Sequence, residues 1–251
     1  MQTLSSLLRP FRRLLLVGVV LGTLLAAIHP TRARAELVYE NTLGSTNYSL
    51  FTREYGDDIV LAGTSRHLTD FSFLYNAILP SGITTPAQWK LRIYANDGAR
   101  QYPDIVTSQR PGSLLWESAS FPVLSGFVTN NLSLPLVQVP DRFTWTIEFS
   151  NIPQTAQFGA GLIIANYPTV GAPLGLRGGG TTIGSYADFW VQMDANDNNS
   201  WALNIFSANP NLGPQGNFWV RVSAVPEPTP LVLGTLGFGA LLWVFRRGRK
   251  G

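Results

Sequence analysis

Over residues 142–149 the chain alternates without a break, with Arg142, Thr144, Thr146 and Glu148 on one side and Phe143, Trp145, Ile147 and Phe149 on the other. Side chains of a strand point to opposite faces in turn, so this spacing predicts a strand with one wet face and one core face. Residues 70–77 repeat the pattern with Phe71, Phe73, Tyr75 and Ala77 inward, and residues 89–95 set Trp89, Leu91, Ile93 and Ala95 against Lys90, Arg92 and Tyr94. Weaker candidates lie at 37–41, 48–52, 58–62, 114–117, 134–139, 159–165, 188–193, 201–206 and 218–222. About a dozen short strands, punctuated by Gly, Pro, Asn and Asp and with no long helical stretch between them, predict an all-β antiparallel sandwich. The strand count favours a jelly-roll-like arrangement over an immunoglobulin-like one. The sequence contains no cysteine, so such a fold must rest on its apolar core alone.

The two ends of the chain have a different character. Residues 1–35 have the build of a secretory signal that forms a helix in transit: Arg9, Arg12 and Arg13, an apolar run over 14–28, then Ala33-Arg34-Ala35 with small residues at the two positions that determine cleavage. Cleavage is expected after Ala35, by the general secretory machinery. The consecutive Arg12 and Arg13 lack the polar flanks of a twin-arginine signal. Of the 18 basic residues, five precede residue 36 and four follow residue 245, whereas only Glu227 of the 15 acids lies in the tail. A body spanning 36–224 therefore keeps nine bases against fourteen acids, and the sequence pI of about 9.4 belongs to the ends. That balance argues against nucleic acid as a partner. The body is long enough to bury one core and reads as a single domain.

The tail, 225–251, has three parts. Pro226, Pro228 and Pro230 hold the segment extended and accessible, with Glu227 standing alone between two of them. Residues 231–245 carry no charge, and Arg246, Arg247, Arg249 and Lys250 follow at once, which predicts a membrane helix over 230–245 with a cytoplasmic basic end. Fifteen apolar residues rise about 22 Å as a helix, so the span needs the preceding prolines and snorkelling arginines to cross a bilayer. The order Val225-Pro226-Glu227-Pro228, apolar helix, arginine-rich end resembles the PEP-CTERM sorting signal of Gram-negative bacteria. The resemblance implies an exosortase-like membrane protease or transpeptidase as a partner, and passage through the inner membrane to the cell surface or the extracellular matrix. It covers about a tenth of the chain. Extra Pro230 starts the helix late and leaves the cut site open. In the body, the stretches 57–64, 94–98 and 111–118 resemble a recurrent secreted β-domain found ahead of such anchors, which brings no activity with it.

The body shows little catalytic chemistry. His67 is its one histidine, beside Ser65 and Asp70 but with no Gly-x-Ser-x-Gly elbow, and a turn position accounts for it. One histidine and no cysteine argue strongly against a catalytic zinc or copper site. No cofactor is expected. Asp57, Asp58, Asp97, Asp104, Glu117 and Glu148 are the acids from which a glycosidase pair would be drawn. Asp194, Asn196 and Asp197, with Asn198 and Asn199, bunch hard oxygen ligands suited to calcium as a weak candidate site, and Asp57 with Asp58 forms a second cluster; turn formation is the better account of the same residues. Over 188–193, Phe189, Val191 and Met193 form the inward set and leave Trp190 outside; over 218–222 the same parity leaves Trp219 outside. Two such tryptophans among amides would stack on sugar rings, with extracellular polysaccharide as the ligand, unless loops or a second layer cover them.

The sequence thus points to an exported, non-enzymatic β-sandwich delivered by its tail. The alternatives are a secreted carbohydrate-active enzyme and a plain C-terminally membrane-anchored protein.

Overall fold

In the computed structural model the described residues are 34–50, 53–82, 84–101, 109–152, 155, 157–165, 168–173, 188–194, 197, 200–205 and 217–227. The leader with Ala33, the apolar run at 230–245, Pro228, Arg246, Arg247, Arg249, Lys250, Asp104 and Asn196 lie outside them. No helix among the described residues is long and apolar enough to cross a membrane.

The elements are β1 (Glu36–Asn41), β2 (Gly44–Leu50), β3 (Tyr55–Val60), β4 (His67–Ile78), β5 (Gln88–Ala95), β6 (Leu114–Glu117), β7 (Phe121–Pro122), β8 (Gly126–Gln138), β9 (Arg142–Ser150), β10 (Gly159–Ala165), β11 (Ala172–Pro173), β12 (Asp188–Gln192), β13 (Trp201–Ile205), β14 (Asn217–Phe218) and β15 (Val220–Val225). They form two antiparallel sheets. In the first, β15 lies between β1 and β4, β8 pairs the far side of β4, and β10 joins the second half of β4 to β2 and β14. The second runs β13-β12-β3-β9-β5-β6, with β11 on β3 and β7 on β5. Packed face to face, they make a β-sandwich.

The alternating stretches supply its core. Phe143, Trp145, Ile147 and Phe149 of β9 are buried beside Trp89, Leu91 and Ile93 of β5. They meet Phe71, Phe73 and Tyr75 of β4 and Val220 and Val222 of β15 from the other sheet. Trp145 tilts against Phe71 at 5.3 Å, and Phe73 meets Trp89 edge-on at 4.9 Å. Each such pair adds ~0.5–1.5 kcal/mol to the burial of its rings, which matters in a chain with no disulfide. A register shift between Leu68 and Asp70 lets β4 change parity, so that Leu68 and Phe71 both face inward.

Some boundaries differ from the expected ones. The strand expected at 134–139 is the end of β8, which starts at Gly126. The strand expected at 58–62 is β3, five residues of which are buried on both of its faces. Glu36 pairs with Ala224, so the chain enters and leaves the body at one end of the first sheet.

Candidate functional site

Val225 is the last residue of β15 and pairs with His67 of β4. Pro226 has no N–H to continue the ladder, and the strand stops there. Pro226 and Glu227 are exposed, and the Gln138 side-chain amide donates to the Glu227 carboxylate at 3.3 Å. No linker separates the sheet from the proline motif. Val225 ends the last strand, Pro226 and Glu227 follow it exposed, and Ala35 precedes β1 at the same end of the sheet.

The two tryptophans expected to share a sugar platform do not meet. Trp190 is on β12 in the second sheet, whereas Trp219 lies between β14 and β15 in the first. Trp219 is half-buried and its indole N–H donates to the Thr42 carbonyl at 3.0 Å. Trp190 does point away from the main core, as its parity requires, yet only 1% of it is exposed. It packs with Tyr94 and Trp201 in a second, smaller cluster on the outer face, where Tyr94 and Trp201 meet edge-on at 5.4 Å. Met193, expected inward, is 52% exposed because β12 ends at Gln192.

Around that cluster the outer face of the second sheet carries a network of charges. The Arg92 guanidinium of β5 binds the Glu54 carboxylate just before β3, Glu117 of β6 at 2.6 Å and Glu148 of β9 at 2.9 Å. The Tyr94 and Thr146 hydroxyls also donate to Glu54. Burial pushes the Glu54 carboxyl above its ordinary range, against the pull of Arg92, Thr146 and Tyr94. Asp58, with Arg142 and Trp190 as donors, is raised for the same reason. The side-chain bond from Arg92 holds Glu117 below the usual range. Bonds from Ser113 do the same for Asp97.

A hydrolase acid needs both a raised pKa and access to substrate. Among the described carboxyls, Glu54 and Asp58 are raised but only 4% exposed each, while the more open Glu117 is lowered. The network ties strands together rather than presenting an acid to a cleft.

The remaining sequence candidates separate. Asp57 lies opposite Trp145 on the core side of β3, and Asp58 faces outward, so strand alternation prevents them from sharing a cation. Asp194 and Asp197 belong to the turn between β12 and β13. There the Asp197 N–H donates to the Asp194 carbonyl at 3.2 Å, and the Ser200 hydroxyl donates to the same carbonyl at 2.8 Å. Among the described residues, no group of three His, Cys, Asp or Glu side chains is placed to hold a metal. The buried His67 Nδ1 and Ser65 Oγ both lack a hydrogen-bond partner, so they form no relay with each other.

One open feature was not singled out in the sequence. A groove of about 370 Å³ runs along the seam where the sheets part, between β6–β7 and β8. Trp89, Trp116 and Phe121 line it from one side, and Asn130, Asn131 and Leu132 from the other. The signal available was Asn130, a polar residue in the row Val128, Leu132, Leu134 that β8 turns inward. No protein-family model matches the chain, and no curated protein or solved structure matches it either.

Proposed function

We propose that the chain is an exported, non-enzymatic display domain. A PEP-CTERM-like tail would hand it to an exosortase-type membrane enzyme, leaving it at the cell surface or in the extracellular matrix. The observation that carries this reading is the join at Val225. The last strand runs into the proline motif with nothing between them, so a cut just beyond it would release a complete sandwich. The pairing of Glu36 with Ala224 brings the expected signal-cleavage end next to the last strand of the body.

A jelly-roll assignment is part of the proposal. It is supported by the layer β1-β15-β4-β8 facing β3-β9-β5-β6, in which β3, β4 and β5 alternate between sheets and the last strand inserts between the first and the fourth. The pairing of Glu117 with Arg92 and Lys90, and of Glu148 with Arg92, supports a non-enzyme.

Intact-mass and C-terminal peptide analysis of the protein from its native host, in membrane and extracellular fractions, tests the proposal. A species that begins near Glu36 and ends between Val225 and Pro228 is the expected result. A tail still ending in Arg249-Lys250-Gly251 in both fractions would leave the plain membrane anchor as the reading.

A further inference from the structure

We propose that the seam groove between β6–β7 and β8 binds a neutral carbohydrate chain. The inference goes beyond sorting and does not depend on it, because every residue of the groove belongs to the body.

The groove has two kinds of wall. On the side of the second sheet, Phe121 of β7 stacks on Trp89 of β5 with ring centres 4.6 Å apart and planes 24° from parallel, and Phe121 remains 37% exposed. Trp116 of β6, paired with Ile93, is turned into the same seam and only partly buried. Aromatic faces of this kind receive the C–H faces of pyranose rings, which are apolar, while the ring hydroxyls at the edge need hydrogen-bond partners.

Those partners stand opposite. β8 is an edge strand whose inward residues are Val128, Asn130, Leu132 and Leu134. Asn130 interrupts this apolar row at the groove. Its amide makes one long bond, 3.4 Å, to the Val128 carbonyl two residues away, and its side-chain oxygen accepts no hydrogen bond from a described residue. That oxygen is open to pair with a ligand hydroxyl in the groove. Asn131, the next residue, turns its side chain to the other face of β8, where its oxygen accepts from the Ser72 hydroxyl at 2.7 Å, so Asn130 is the amide offered to the groove.

The lining also excludes other ligands. It contains no charged residue, so phosphates, nucleic acids and acidic sugars gain nothing there. Its volume falls within the usual range of small-ligand sites, and a seam between sheet edges is open along its length, as a chain passing through requires. The free edge of β8 would also take an added strand, but Pro135 and the left-handed Leu136 (φ 55°) break that edge next to the groove.

Titration calorimetry on the full chain in a detergent without sugar headgroups tests the site, with cellohexaose, laminarihexaose, maltohexaose and mannohexaose as neutral probes and a galacturonic acid hexamer as the charged control. Saturable binding of at least one neutral hexaose and none of the acidic one is expected. Asn130→Ala and Trp116→Leu should each weaken it about ten-fold. Leu43→Ser, on an exposed residue away from the groove, should leave it unchanged, with circular dichroism confirming that every variant is folded. No saturable binding to any neutral probe, or affinities equal in the parent and both groove variants, would overturn the proposal. So would an extended polythreonine peptide that binds in place of the sugars and is indifferent to Trp116→Leu, since that result assigns the edge of β8 to strand addition.

Discussion

Arg92 contacts carboxylates from three directions, and the consequences of removing each partner differ. Glu54 has only 3% of its side chain exposed, so Arg92→Met leaves it as a buried, uncompensated charge and should cost ~3–5 kcal/mol. Glu54→Gln leaves Arg92 with Glu117 and Glu148 and should cost less, ~1–3 kcal/mol. Urea unfolding of the two variants checks the order, and equal losses would mean that Arg92 does not compensate Glu54. The same residues set a pH dependence. The folded chain holds the protons of Glu54 and Asp58 more tightly than the unfolded chain does, because burial raises both. Their effect is therefore that stability falls as pH rises from the ordinary carboxyl range through the raised values. Asp97 and Glu117 act in the opposite sense: the stability they give is present above the ordinary range and is lost as pH falls through their lowered values. Unfolding midpoints measured across this range should peak in mild acid, and a Glu54→Gln, Asp58→Asn double variant should lose the decline on the neutral side. A double variant that keeps the parent's slope there would remove these two carboxyls from the account.

At the scale of strands, β3 and β9 leave no room for a side chain at Gly56. A Cβ on Gly56 would sit 1.9 Å from the Trp145 carbonyl oxygen and 2.6 Å from the Thr146 Cα, both backbone atoms that no side-chain motion relieves. Gly56→Ala should therefore cost ~3 kcal/mol or more and weaken the β3–β9 pairing, since that is the upper part of what single substitutions do. Gly82→Ala makes the control, because Gly82 has φ 81° with nothing within 4 Å, and only the left-handed backbone is penalised, at ~1–2 kcal/mol. Comparable losses in the two variants would show that the strands can separate locally. The strict alternation of 142–149 made β9 legible in the sequence, and the same holds for most of β4 and β5. The first half of β8 was not legible, because Asn130 sits on its inward row and Phe127, 57% exposed, on its outward one. The facing of Trp190 was readable from period two, but its burial was not. Its cover comes from Trp201 on the paired strand β13 and from Tyr94 on β5, and no local pattern announces a contact with a residue as distant in the chain as Tyr94. Glu54 was missed for a related reason: a lone acid before a strand looks like surface until Arg92, Tyr94 and Thr146 close around it.

For the molecule as a whole, the decisive strand is the last one. β15 has β1 on one side and β4 on the other, so its six residues hold the first sheet together, and Val220, Val222 and Ala224 add their side chains to the core. A sandwich in which the final strand is internal completes its first sheet only when the chain has been made as far as Val225. The motif begins at that residue, and Pro226 ends the ladder. It follows that a cut inside β15 would remove the strand that joins β1 to β4, whereas a cut beyond Glu227 would touch no described strand. A chain running from Glu36 to Glu227 should therefore give a single cooperative urea transition with the midpoint of the full-length protein, while one stopped after Trp219 should show no cooperative transition at all. If the shorter chain unfolds cooperatively, β15 is not what closes the sheet, and the position of the motif ceases to matter to the body. If the longer one fails to fold, the tail contributes to the domain it leaves, and a sorting enzyme that removed it would deliver an unfolded protein. The paired register of Val225 with His67 argues for the remaining outcome, a body complete at the point where the tail begins.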